Sequence, residues 1–341
     1  MEEYNLKSKN LLEGFITAVH RERYEVYVNH KCMYAKLKAS VYFYNNNQDF
    51  PTVGDNVFIE MNEMGDSLIC KTKQRVTKFS RKDPDKGQGE QVVAANFDYI
   101  FIMMSLNYDF NLKRLERYIT TAWQSGGTPV IILTKADIAE DIENKITIVQ
   151  AIAQGIDVYP ISSATGEGVA ALHKYLAHDN TVVFLGSSGV GKSTLTNYLL
   201  DNRVMKTGSI RETDSKGHHT TTHRQMFVLN NGARIIDTPG MRELGMWDVK
   251  DGVGQSFLDI TSIISNCRYH NCSHTMEDGC AVKQALEEGI ISEKRWISYQ
   301  KLQKESAYLV GKEKKNQRKG TKKGKTNRTQ SKRIILKGGE Y

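Results

Sequence analysis

Between the apolar run Val182 to Leu185 and the helical pattern Lys192 to Leu200 lies the segment Gly186-Ser187-Ser188-Gly189-Val190-Gly191-Lys192-Ser193. A glycine-rich turn joining a buried strand to a helix start belongs in a largely parallel sheet covered by helices. The same alternation surrounds it. Apolar strands at Tyr99 to Met104, Val130 to Leu133 and Val158 to Ile161 are separated by helical patterns near Leu112 to Trp123, Ile138 to Ile152 and Val169 to Leu176. The glycines let backbone N–H groups turn inward onto phosphate oxygens, at a helix N-terminus that already favours anions. Lys192 is expected to reach the β- and γ-phosphates of a nucleotide, Ser193 to ligand Mg²⁺, and Thr194 to follow them at the phosphate subsite.

A base-reading segment, Thr134-Lys135-Ala136-Asp137, follows the strand Val130 to Leu133. Asp137 can accept both the N1–H and the exocyclic amine of guanine, a pattern adenine does not offer, so it selects GTP over ATP. Its first position is Thr where Asn is commoner, so one base contact is expected to be weaker. Ser162-Ser163-Ala164, at the end of the next strand, completes the base subsite. Both segments precede the phosphate loop, whereas in an ordinary GTPase they follow it. The halves are exchanged, as though the ends had been joined and the chain cut elsewhere. Termini of compact domains often lie close together, so such a permutation can preserve the fold.

Downstream, Asp237-Thr238-Pro239-Gly240 ends the apolar strand Arg234-Ile235-Ile236, 44 residues beyond Ser193. By itself such a run is an ordinary turn. In this position Asp237 can hold a Mg²⁺-bound water while the Gly240 N–H senses the γ-phosphate. The intervening Gly217-His218-His219-Thr220-Thr221-Thr222 is polar and Thr-rich, suited to a switch closing over γ-phosphate and metal, with Thr221 as a further Mg²⁺ ligand. Ras-type enzymes orient the attacking water with a Gln directly after this glycine. Met241 occupies that place and can do no such thing, so intrinsic hydrolysis is expected to be slow and another group must position the water.

Three of the five cysteines fall in one window, Cys267-x4-Cys272-x1-His274-x5-Cys280. Three thiolates and an imidazole at this spacing match a closed tetrahedral zinc site, structural because no position remains for water. Such a site would staple a domain with little core of its own. His270 competes for the imidazole position, and the alternative to metal is a set of reduced, buried cysteines.

Four segments are expected. Residues 1–78 carry short alternating stretches such as Glu25-Val26-Tyr27-Val28 and Asn56-Val57-Phe58-Ile59, the pattern of an OB-type barrel. Tyr24, Tyr27, Tyr34, Tyr42, Phe43 and Tyr44, interleaved with Arg21, Arg23, Lys31, Lys36 and Lys38, could stack RNA bases or could fill the barrel. Residues 79–245 form the nucleotide domain and 246–310 a helical, cysteine-containing domain ending in an amphipathic stretch from Glu293 to Leu309. Residues 311–341 are a tail with 12 Lys or Arg against two Glu, a net charge of +10; the rest of the chain, with 35 basic and 37 acidic groups, is −2. With so little apolar surface the tail is expected to stay disordered, as a solubilising end or as an electrostatic arm for RNA phosphates. The start, Met1-Glu2-Glu3-Tyr4-Asn5, has no basic-then-apolar signal pattern, and the apolar runs are too short to span a bilayer. A cytoplasmic protein is therefore expected.

The chain resembles the circularly permuted, ribosome-dependent GTPases of the RsgA (YjeQ/YloQ) family from about residue 10 to 310. Beyond the motif order, Asp237-Thr238-Pro239-Gly240 and the cysteine cluster, the likeness is carried by Glu90-Gln91-Val92-Val93-Ala94-Ala95-Asn96, by Leu106-Asn107 with Asp109-Phe110-Asn111-Leu112, and by Arg114-Leu115-Glu116-Arg117-Tyr118. The resemblance implies an N-terminal OB barrel, a permuted GTPase core and a C-terminal zinc domain, with one structural Zn²⁺ per chain, His274 rather than His270 as its imidazole ligand, and Mg²⁺ bound with GTP. It implies late maturation of the small ribosomal subunit, through its rRNA, with GTP hydrolysis stimulated by that subunit. It assigns the water-positioning role to His219, with His218 and His223 as rivals. His218 stands where the family usually has a basic residue, and the lysine tail exceeds the core family. A monomer without a membrane partner is expected. The reading from another class is a non-hydrolysing, ribosome-binding sensor of guanine nucleotides, which Met241 favours and Lys192, Ser193 and Asp237 oppose.

Overall fold

A computed structural model describes residues 11–21, 23–42, 50–62, 64–82, 90–200, 224–237 and 250–308. The chain divides into two compact units, Met1–Met246 and Trp247–Tyr341.

The first unit opens with five strands, β1 (Leu11–Val19), β2 (Tyr24–Val28), β3 (Lys31–Leu37), β4 (Asn56–Glu60) and β5 (Ser67–Thr72), with a single helical turn α1 (Ala39–Tyr42) after β3. β1 pairs antiparallel with both β2 and β4, β3 runs parallel to β5, and β4 closes onto β5. The ring is therefore closed, an OB-like barrel. Alternation sends Ile16, Val26, Val28, Val57, Ile59 and Ile69 inward. The aromatic set divides between core and surface. Tyr42 is buried, its hydroxyl 2.9 Å from Thr72 Oγ1, and burial of Tyr24 pushes its phenol up to about 12. Tyr34 is exposed beneath the Arg23 guanidinium, 3.9 Å from its ring centre. Phe43 and Tyr44 lie outside the described residues.

A hairpin of β6 (Lys78–Lys82) and β7 (Glu90–Ala95) leads into the nucleotide domain. Its elements are β8 (Tyr99–Ser105), α2 (Leu112–Ser125), β9 (Thr128–Thr134), α3 (Ile142–Ile152), β10 (Val158–Pro160), β11 (Thr181–Gly186), α4 (Lys192–Leu199), β12 (Gln225–Val228) and β13 (Arg234–Asp237). The strands lie in the order β10-β9-β8-β11-β13-β12, parallel except where β12 turns back against β13. The contiguous apolar runs of β8, β9 and β11 are buried on both faces, as a helix-covered parallel sheet requires. From the centre the chain moves outward through β9 and β10, then returns to β11 and moves outward the other way. The topological switch point thus lies between β8 and β11, and the crevice at their carboxyl ends is where such sheets bind ligands.

Two helical expectations need correction. The stretch Ile138 to Ile152 is broken: Asp141 sits at φ 56°, separating a 3-10 turn, Ala136–Ile138, from α3. Val169 to Leu176 is not an α-helix but a series of i→i+3 bonded turns beginning with the 3-10 segment Val169–Leu172. Its apolar positions Val169, Leu172 and Tyr175 recur every three residues, which suits the threefold repeat of a 3-10 helix, and all three are buried.

The outer neighbour of β12 is barrel strand β1, with Ala18 opposite Gln225. The Asn96 amide donates to the Gly54 carbonyl at 3.0 Å, and the Arg234 guanidinium lies 4.5 Å from the Phe15 ring centre. The barrel and the nucleotide sheet are thereby continuous.

The second unit comprises α5 (Lys250–Ser256), α6 (Leu258–Ile264), α7 (Ala281–Glu287) and α8, over residues 293–308. Phe257, Ile260, Val282, Trp296, Tyr299 and Leu302 form its buried core. Arg295 clamps Asp259 with two hydrogen bonds, 2.6 and 2.9 Å, and its guanidinium lies 4.6 Å from the Phe257 ring centre. No helix among the described residues is long and apolar enough to cross a membrane.

Candidate nucleotide site and metal centre

Every described nucleotide-site residue falls at the carboxyl edge of the sheet. In register, Gly186 lies beside Met103, Ser105 beside Thr134, and Leu133 beside Pro160. Glycine is required at 186, where a Cβ would stand 2.6 Å from the Met103 carbonyl oxygen. Gly191, at φ 106°, caps α4, and the first N–H groups of that helix have no intrahelical acceptor. Lys192 folds back within the loop, donating to the Gly186 and Ser187 carbonyls at 2.8 and 2.6 Å. Ser188, Gly189 and Val190 complete the turn, with Ser193 and Thr194 half-buried at the helix start.

The two base segments meet this loop from the other side of the switch point. Thr134 Oγ1 donates to the Val190 carbonyl at 2.6 Å. Lys135 adopts φ 63°, a left-handed conformation uncommon for a side chain with a Cβ, and turns the chain so that Asp137 emerges exposed at the sheet edge. Burial lowers the Lys135 pKa, opposed by the carboxylates of Asp109 and Asp137. The Ser162–Gly168 turn is held by Ser162, whose hydroxyl accepts from the Thr165 N–H at 3.2 Å and whose carbonyl accepts from the Gly166 N–H at 2.8 Å. Ala164 is exposed on this turn, and the Ser163 hydroxyl is buried with no hydrogen-bond partner among the described residues. Asp237 is buried at the end of β13. His218, His219, Thr221, His223, Gly240 and Met241 lie outside the described residues, as does the tail.

In the second unit Cys267, Cys272, His274 and Cys280 bring their ligand atoms within 4.8 Å of one another, a group able to hold a metal ion. His274 presents Nδ1, 3.6 Å from both Cys267 Sγ and Cys280 Sγ, and its ring meets Trp296 edge-on. His270 is exposed and outside the group. Burial works against the Cys267 thiolate, but the Val282 and Ala281 N–H groups and the neighbouring thiols outweigh it and shift it down. Two contributors were not legible in the spacing. Trp296, from α8, orients the imidazole. Glu277 gathers the Ser273 and Thr275 N–H groups at 2.7 and 3.0 Å, and the Ser273 side chain together with these backbone bonds brings its carboxyl down to about 2.

Residues 72–247 match the model of the RsgA GTPase family, just over half of the chain. A small ribosomal subunit biogenesis GTPase RsgA 1 of Listeria monocytogenes is 46% identical over 86% of this chain and 84% of its own. The chain belongs to the RsgA GTPase family. Another RsgA, from Lactiplantibacillus plantarum, is 42% identical over 89% of this chain and 85% of its own. Among solved structures, YjeQ from Thermotoga maritima aligns with a TM-score of 0.65 at 23% identity, covering 88% of this chain and 99% of its own. YloQ, titled a circularly permuted GTPase, aligns at 0.61 and 24%, over 87% and 96%. These two likenesses concern the fold, and the permuted strand order of this RsgA chain agrees with them.

Proposed function

We propose that the chain is a GTP hydrolase acting in biogenesis of the small ribosomal subunit, binding its rRNA and converting GTP to GDP and phosphate when the subunit stimulates it. The observation that carries this reading is the convergence of the base and phosphate segments on one crevice, latched by Thr134 to Val190. The naming of RsgA relatives for small-subunit biogenesis supports the setting.

Asp137 reads the guanine edge, while Thr134, Lys135, Ser162, Ser163 and Ala164 frame the base; the unpartnered Ser163 hydroxyl is a donor in waiting. The backbone from Gly186 to Gly191, with Lys192 and Thr194, holds the phosphates. Ser193, Thr221 and Asp237 would hold Mg²⁺, which when bound neutralises charge developing on the transferred phosphate. Gly240 senses the γ-phosphate and His219 orients the attacking water. The three thiolates and His274 suit one Zn²⁺ per chain in a closed, structural site.

Segment 1–78 serves as the RNA-contacting barrel, 79–245 as the GTPase, 246–310 as the zinc domain and 311–341 as a cationic arm. The protein works as a cytoplasmic monomer. Met241 favours a second reading, a sensor that binds guanine nucleotide without turnover. Phosphate release from GTP, measured with and without purified small subunits, separates the two. Stimulated turnover supports the hydrolase; tight binding without turnover in both conditions leaves the sensor.

A further inference from the structure

The loop between β8 and α2 has no part in the roles above, yet one of its residues touches the phosphate loop. Ser187 Oγ donates to Asp109 Oδ2 at 2.7 Å, across 78 residues of sequence. The same carboxylate oxygen lies 2.8 Å from Arg114 Nη2. Lys135, in the base segment, is within the electrostatic reach of Asp109.

The loop is built to keep this carboxylate in place. Asn107 Oδ1 accepts from the Ser105 hydroxyl at 2.8 Å and from the Asp109 N–H at 3.1 Å. The Asn107 carbonyl accepts from the Phe110 N–H at 3.0 Å. Asn111 then caps α2, accepting from the Arg114 N–H at 3.0 Å. Leu106 ties the loop to the base segment, donating to the Thr134 carbonyl at 2.9 Å.

A carboxylate beside a phosphate subsite has the wrong sign for its ligand. Its presence needs a compensating role. An ion pair with Arg114 at a helix start would account for the charge but not for the hydroxyl of the phosphate loop, which comes from a distant part of the chain. Asp109 instead joins the phosphate loop, through Ser187, to the rigid cap of α2, through Arg114, on a loop that Leu106 ties to the base segment. Such a group can hold the loop in a binding-ready shape before nucleotide arrives, which lowers the cost of ordering it on binding.

We propose that Asp109 is a positioning residue of the nucleotide site, fixing the phosphate loop through Ser187 against the cap of α2 through Arg114, so that it sets how long nucleotide stays bound rather than how fast it is hydrolysed. This inference rests on the reading of the crevice as a guanine-nucleotide site.

The test uses the full chain and the dissociation of fluorescently labelled GDP, followed by stopped flow, for Asp109→Ala, Asp109→Asn, Ser187→Ala and the double variant Asp109→Ala/Ser187→Ala. Asp109→Ala is expected to release nucleotide roughly tenfold faster or more, the scale of a lost hydrogen bond to a charged group. Asp109→Asn keeps an acceptor for Ser187 and should recover part of that loss. The double variant should be no worse than the more severe single one, because both remove the same link. For Asp109→Asn, subunit-stimulated kcat at saturating GTP should be unchanged. Wild-type dissociation rates in both Asp109 variants, or effects that simply add in the double variant, would overturn the role of Asp109. A wild-type chain that binds no labelled guanine nucleotide would overturn the nucleotide-site reading, and this inference with it.

Discussion

The Thr134 hydroxyl donates to the Val190 carbonyl at 2.6 Å, joining two segments that are 56 residues apart and in exchanged order. Thr replaces the commoner Asn at the head of the base segment, and the bond shows what that position does here. Both partners are buried, so the link works in surroundings where an unmet carbonyl is costly.

Thr134→Val keeps the shape and removes the donor. Affinity for GTP and GDP is expected to fall together, by roughly tenfold, corresponding to about 1–2 kcal/mol for a buried acceptor left unmet. Titration calorimetry with both nucleotides measures it; unaltered affinity would show that the latch does not contribute to binding.

Asp137→Asn exchanges an acceptor for an amide that can donate. Guanine binding should drop and xanthine nucleotides should gain, because the paired hydrogen bonds to the base are reversed in sense. Competition among GTP, XTP and ATP reads this directly. GTP affinity equal to wild type would remove Asp137 from the base subsite.

His219→Ala should leave GTP binding nearly intact and lower subunit-stimulated kcat by about 10²-fold or more, the usual scale for a proton-handling or water-orienting group. If kcat is unaltered, the role passes to His218, His223 or the ribosome.

Purified protein should carry one equivalent of zinc. Cys272→Ser, or removal of the metal by chelation, should lose it and open the 267–280 loop to proteolysis, since a bound metal would tie together the four side chains that this loop gathers within 4.8 Å. Metal-free protein of native protease resistance would argue against the site.

Removing residues 311–341 deletes a net charge of +10 and leaves a body of −2. Small-subunit affinity should fall and its salt dependence flatten, because each phosphate neutralised contributes about one unit or slightly less to the log–log slope. GTP binding without subunits should not change. Parallel salt series for the full and shortened chains would leave solubility as the tail's function.

Much of the architecture is readable because it is written in contiguous signals. β8, β9 and β11 are unbroken apolar runs, and the glycines of the phosphate loop sit between a strand and a helix. The candidate metal ligands fall within one short window, and the structure adds that His274, not His270, joins the three cysteines. What sequence conceals is contact between distant segments. Asp109 was visible as a family mark, but its bond to Ser187 depends on β8 and β11 becoming neighbours. The break before α3 escaped the periodic pattern because apolar residues continue on both sides of it, while the extended Ala139 and the positive φ of Asp141 separate the turns. Trp296 and Glu277 shape the metal loop from positions that carry no spacing rule.

The pairing of β1 with β12 gives the barrel a second occupation. At Gln225 the nucleotide sheet would otherwise end in a bare strand, and bare strands invite addition of strands from other copies. The barrel covers that flank, and Phe15 lies over Arg234 beside it. A chain shortened to begin at residue 79 would therefore lose an edge guard, and its self-association would rise even with every nucleotide contact in place.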